Sequence, residues 1–186
     1  MGRIVLITGG ARSGKSSFAL QEALKHPNKR VFLATALAID DEMKTRIGKH
    51  REERGEDFST IEEPMDISSR LNGLGRDTGV AVVDCLTVWL GNLFHKWNED
   101  EEAIRHEIEM FCETISHVNS DLILVTNEVG FGIVPENRLA RLYRDMLGFL
   151  NRKVAEQADK VYCCICGISV CINEKTGPPI NGQITS

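Results

Sequence analysis

Between an apolar run and a helical pattern the sequence carries Gly9-Gly10-Ala11-Arg12-Ser13-Gly14-Lys15-Ser16. Gly, four residues, Gly, Lys and Ser is the spacing of a phosphate-binding loop. Such a loop turns backbone N–H groups inward at phosphate oxygens, and the helix that follows adds the positive end of its dipole. In that chemistry Lys15 reaches the β- and γ-phosphates and the Ser16 hydroxyl helps hold Mg²⁺, so the pattern implies a nucleoside triphosphate. The rival is a fortuitous glycine-rich turn, disfavoured by the strand before it and the helix after it. Asp84 closes the apolar run Gly79-Val80-Ala81-Val82-Val83. A carboxylate there suits the same metal, directly or through water; the alternative is a solvated charge at a strand end.

His50 stands among Arg46, Lys49, Arg51 and Arg54. A neutral imidazole can attack an α-phosphorus and carry the nucleotidyl group as a phosphoramidate, dividing one displacement into two. Neighbouring cations disfavour ring protonation and neutralise the attacked phosphates. Two other readings of His50 stand beside this one: a solvated residue of a charged helix, or a packing residue that extends the spacing of Ile39, Met43 and Ile47. Glu128, just past a strand end, either orients an acceptor hydroxyl or bonds amides of its own loop. Glu62 is a contact for a base or ribose, or a surface charge.

The elements that must position these groups alternate. Arg3 to Thr8 reads as strand, Ser17 to Leu24 as a helix stopped by Pro27, Arg30 to Thr35 as strand and Asp40 to Glu53 as a polar helix. Gly55 to Glu63 breaks that pattern. Asp66 to Leu74 is a short helix, Gly79 to Asp84 a strand and Thr87 to Trp97 a helix. Ile104, Ile108, Phe111, Ile115 and Val118 step along one face of a helix from Glu101 to Asn119. Asp121 to Asn127 is a strand, Glu136 to Ala158 a long amphipathic helix, and Lys160 to Ile165 and Ile168 to Asn173 are strands joined by Cys166-Gly167. The alternation predicts an α/β fold: a mostly parallel sheet with helices on both faces and an antiparallel C-terminal strand. Residues 1–173 form one domain in this reading, and 174–186 a tail.

The 186 residues are 42% hydrophobic with a net charge of -5, the balance of a globular domain and not of a basic nucleic-acid or anionic-membrane binder. No apolar stretch approaches the roughly 18 to 20 residues of a membrane span, and the N-terminal run is too short for a signal peptide. The expected location is the cytoplasm. Four of the six cysteines crowd into residues 163–171, which reads as reduced, mostly buried thiols and not as a disulfide framework. Cys163 and Cys166 lie three apart in a strand pattern and would face opposite sides, against shared metal ligation. His106 and His117 are too far apart on one helix to share a ligand and are expected in solvent.

Several blocks together resemble a known family. They are Thr8 to Ser16; Ala34-Thr35-Ala36 with Asp40-Asp41-Glu42-Met43 and Arg46-Ile47 to His50-Arg51; Asp84-Cys85-Leu86-Thr87; and Val125-Thr126-Asn127-Glu128-Val129-Gly130 with Gly132-Ile133-Val134-Pro135-Glu136-Asn137-Arg138-Leu139-Ala140-Arg141. The family is the bifunctional adenosylcobinamide kinase and adenosylcobinamide-phosphate guanylyltransferase of cobalamin biosynthesis. The resemblance implies phosphorylation of adenosylcobinamide by ATP or GTP, then transfer of GMP from GTP to the phosphate, giving adenosylcobinamide-GDP and pyrophosphate. It implies His50 as the residue that carries GMP, and Lys15 as the second catalytic residue. Nucleotide contacts carry over onto Gly9, Gly10, Ala11, Arg12, Ser13, Gly14, Lys15, Ser16, Ala34, Thr35, Ala36, Arg51, Glu52, Glu53, Arg54, Glu62 and Asp84, with Ser16 and Asp84 toward Mg²⁺. A RecA-like sheet and a homotrimer come with the resemblance. Trp89 and Trp97, with Leu90, Leu93 and Phe94, are a corrinoid surface or, in the reading preferred here, core and subunit contacts. The rivals in function are a small-molecule kinase without guanylyltransferase activity and a non-catalytic nucleotide-sensing module.

Overall fold

Unbroken aliphatic runs become central strands when helices cover both faces of a parallel sheet. The computed structural model describes residues 2–37, 48, 51 and 55–175, and its strands are β1 (Ile4–Gly9), β2 (Lys29–Ala34), β3 (Ser59–Glu62), β4 (Thr78–Asp84), β5 (Asp121–Val125), β6 (Lys160–Ile165) and β7 (Ile168–Glu174). They form one sheet in the order β3-β2-β4-β5-β1-β6-β7. Every pairing is parallel except β6 with β7, which turn back on each other through Cys166-Gly167. The expected mixed α/β sheet with its antiparallel C-terminal strand is therefore present.

The described helices are α1 (Lys15–Leu24), α2 (Ile67–Asn72), α3 (Leu86–Lys96), α4 (Glu101–Ile115) and α5 (Arg138–Gln157). Alternate strand residues feed two cores. Leu6, Leu33, Val83 and Leu124 join Trp89, Phe111 and Leu147 on one face. Ile7, Phe32, Val82 and Val125 join Ala19, Leu20 and Ala23 of α1 on the other. The four-and-three series Ile104, Ile108, Phe111, Ile115 and Val118 is buried throughout, although α4 stops at Ile115, short of Asn119, where His117 N turns back onto Thr114 O. No described helix is long and apolar enough to cross a membrane.

Strand β3 was not foreseen in the Gly55 to Glu63 break. Only Ile61 among its residues is aliphatic, and it exists as an edge strand because Val31 to Ala34 offers a parallel ladder. The cysteines also differ from expectation. All six are free, but only Cys112 and Cys164 are buried; Cys85 and Cys163 are half-buried and Cys166 and Cys171 exposed, because β7 is an edge strand and no described element covers it. Trp89, Leu90, Leu93 and Phe94 are core, whereas Trp97 is partly exposed and donates from Nε1 to Glu107. His106 and His117 face solvent as expected. The expected helix from Asp40 to Glu53 lies outside the described residues apart from Gly48 and Arg51, as does the tail beyond Lys175.

Candidate nucleotide site

The phosphate loop leaves β1 at Gly9, where φ is 144° and a Cβ would stand 2.3 Å from the Cys164 carbonyl oxygen. Only glycine fits that backbone against β6. Ser13 O accepts from Gly167 N at 3.1 Å, so the β6–β7 turn braces the loop from behind. Gly14, at φ 93°, is the residue before α1, whose first turn carries neither an acidic residue nor a side-chain cap. That leaves the helix N-terminus available to an anion. Lys15 is buried, with Nζ donating to Gly10 O at 2.6 Å and to Ser13 Oγ at 3.4 Å. Ser16 is half-buried, and Ala11 and Arg12 are exposed.

Sheet register gathers the remaining groups at the same edge. Glu62 pairs with Ala34, Ala34 with Asp84, Asp84 with Val125 and Val125 with Ile7, two residues before the loop begins. This is the carboxyl end of the strands, where open α/β sheets bind ligands. Asp84 is half-buried there. Thr35 is fully buried: its hydroxyl donates to Cys85 O at 2.9 Å and accepts from Cys85 N at 2.8 Å, while its N donates to Asp84 O at 3.2 Å. Its side chain thus holds the Asp84-Cys85 junction. Burial first, and then the Asp84 charge, push the Cys85 thiol up to about 11, and its Sγ accepts from Val88 N to cap α3.

Residues that sequence reasoning missed act through such contacts. Asn92 Nδ2 donates to both Thr35 O and Pro64 O at 2.9 Å, tying the end of β2 to the turn after β3. Trp89 Nε1 donates to Met65 O in the same turn. Glu63 accepts from Met65 N, Asp66 N and Arg70; partial burial works to raise its pKa, but these bonds outweigh it and hold the carboxyl below its usual range. The Asn92 and Trp89 contacts were invisible because their partners are far apart in sequence, whereas the Glu63 bonds are local and close the turn into α2. Glu62 forms an ion pair with Arg51, so two implied nucleotide contacts meet each other. Glu128 Oε1 accepts from Gly130 N at 2.8 Å, fitting the loop-bracing alternative. His50, Glu52, Glu53 and Arg54 lie outside the described residues.

The family model described as cobinamide kinase / cobinamide phosphate guanyltransferase matches residues 5–172. The chain belongs to this family. It is 37% identical over 179 residues to the bifunctional adenosylcobalamin biosynthesis protein CobU of Escherichia coli (strain K12), covering 90% of this chain and 98% of that protein. It is also 37% identical over 163 residues to the CobP protein of Pseudomonas aeruginosa, covering 88% and 93%. CobU of Salmonella typhimurium is 36% identical over 179 residues, with 90% and 98% covered. Among solved structures the RadB recombinase superposes with a TM-score of 0.52 at 14% identity, covering 87% of this chain and 74% of that one, a likeness of fold alone.

Proposed function

We propose that this cobinamide kinase and guanylyltransferase family member phosphorylates adenosylcobinamide with ATP or GTP, then moves GMP from GTP onto adenosylcobinamide phosphate. The observation that carries the reading is the uncapped α1 N-terminus and glycine loop on the edge that also holds Asp84 and the Arg51–Glu62 pair. In the first reaction Lys15 exchanges the Gly10 carbonyl for phosphate oxygens, and the loop amides orient the γ-phosphoryl group in line with the acceptor hydroxyl. Ser16 and Asp84 offer a hydroxyl and one carboxylate, the hard oxygen donors that suit an Mg²⁺ whose remaining ligands are phosphates and water. Bound there, Mg²⁺ supplies charge neutralisation at the phosphates.

In the second reaction a His50 nitrogen forms a P–N bond to the α-phosphorus of GTP as the bond to pyrophosphate breaks. An oxygen of adenosylcobinamide phosphate then takes the guanylyl group and frees the imidazole. The Arg51–Glu62 pair opens so that both can meet the nucleotide. The working form is a homotrimer in the cytoplasm, supported by the exposed aliphatic residues of β7 and by six free thiols. Incubation with GTP labelled at the α-phosphorus tests the second step: acid-labile label stays on the chain and is absent from His50→Ala, which still phosphorylates adenosylcobinamide. Label that persists in His50→Ala overturns the assignment. Kinase activity with no label in the unaltered protein leaves the kinase alone.

A further inference from the structure

The ladder of β5 continues beyond Val125: Thr126 N donates to Ile7 O at 2.9 Å and Glu128 N to Gly9 O at 3.1 Å. Residues of an extended chain face opposite sides of a sheet in turn. Leu122 and Leu124 belong to the core under α3, α4 and α5, whereas Ile123 and Val125 belong to the one under α1. Thr126 follows the first set, fully buried, with its hydroxyl donating to Asn151 Oδ1 of α5 at 2.7 Å. Asn127 therefore falls on the α1 side, where the phosphate loop enters its helix.

The backbone of Asn127 is pinned from two directions. Its N donates to Thr87 Oγ1 at 2.7 Å and its O accepts from Asn151 Nδ2 at 3.0 Å. Thr87 is itself fixed, its carbonyl accepting from Tyr143 OH at 2.8 Å. Strand order sets β5 between β4, ending at Asp84, and β1, ending at Gly9. The Asn127 carboxamide is half-buried, and among the described residues it has no hydrogen-bond partner. A clamped backbone thus presents an unused amide donor between the Asp84 strand end and the phosphate loop.

We propose that Asn127 is a catalytic residue of the kinase step, its carboxamide N–H donating to a non-bridging oxygen of the γ-phosphoryl group. Thr126, Thr87 and Asn151 are the positioning residues behind it. As the bond from the γ-phosphorus to the β–γ bridging oxygen breaks and the bond to the corrinoid hydroxyl oxygen forms, the hydroxyl proton passes to water; Asn127 gives a hydrogen bond and no proton. The proposal rests on the kinase reading above.

The test compares the unaltered full-length chain with Asn127→Ala, Asn127→Asp, Thr126→Val and Thr126→Ser. Three quantities are measured: kcat for phosphate transfer to adenosylcobinamide, Kd for a non-hydrolysable GTP analogue and for GDP, and Tm. Loss of one preorganised donor lowers kcat about 100-fold in Asn127→Ala, and weakens the analogue relative to GDP with Tm unchanged. Asn127→Asp, which brings a negative charge to the same place, is worse than Asn127→Ala in both respects. Thr126→Val shows a smaller fall in kcat at unchanged GDP affinity, and Thr126→Ser restores it. A kcat for Asn127→Ala within threefold of the unaltered chain overturns the proposal, as does equal weakening of analogue and GDP. Should the unaltered chain transfer no phosphate to adenosylcobinamide, the kinase reading fails and the catalytic role with it, while the ratio of analogue to GDP affinity separately decides whether Asn127 contacts the γ-phosphate.

Discussion

Cys85 adjoins Asp84, yet its chemistry is suppressed. Burial and the neighbouring carboxylate disfavour the thiolate, and Sγ is engaged with Val88 N at the start of α3. Cys112 is likewise pushed up to about 11, by burial. Cys166 and Cys171 instead lie open on the β6–β7 hairpin. Because the thiolate is the reactive form, alkylation at pH 8 should separate the two groups. Peptide mass analysis after brief iodoacetamide treatment is expected to find Cys166 and Cys171 modified, with Cys85 and Cys112 at least about tenfold slower. Fast modification of Cys85 in the folded chain would contradict its place behind Thr35.

At the scale of elements, α2 is short and depends on its ends. Asp66 caps it, accepting from Ser69 N at 3.0 Å, and hydrogen bonds from the Ser69 hydroxyl and amide hold the carboxyl below its usual range. Asp66→Ala should cost about 1 kcal/mol at pH 7 in urea unfolding. The unfolded chain takes up this proton first as pH falls, so the stabilisation is complete above about pH 4 and is lost through the lower folded value. The gap between variant and parent should therefore narrow toward about pH 3; a constant gap would remove the carboxylate from the account. Legibility divides along the same physical line. β1, β2, β4 and β5 were readable because burial on both faces writes them as aliphatic runs, and Gly9 to Ser16 because backbone demands fix its residue types. β3 was hidden, since a half-exposed edge strand needs only Ile61. Thr35 was readable as part of a block but not as a brace, because its hydroxyl partner is fifty residues away. Asn92 and Asn151 look like ordinary helix surface residues until the turns they hold are folded against them.

For the molecule as a whole, the sheet ends differently at its two edges. β3 is short and polar, while β7 is long and places Ile168, Val170 and Ile172 at alternate positions, with Ile165 opposite Ile168. All four are at least about half exposed. A long, flat aliphatic edge invites pairing or packing unless another surface covers it, and a net charge of -5 gives little repulsion against such contact. The proposed homotrimer supplies the cover. Light scattering during size exclusion at micromolar concentration should report three chains for the unaltered protein, and one for the double change Val170→Lys and Ile172→Lys. Both sites lie away from Gly167, which braces the phosphate loop through Ser13. GDP affinity should therefore survive dissociation within about threefold, a difference under about 1 kcal/mol. If the unaltered chain elutes as a monomer, the trimer is wrong. If the double variant remains trimeric, the subunits meet through another surface, with exposed Phe131 and Ile133 beside the nucleotide edge as the next to change.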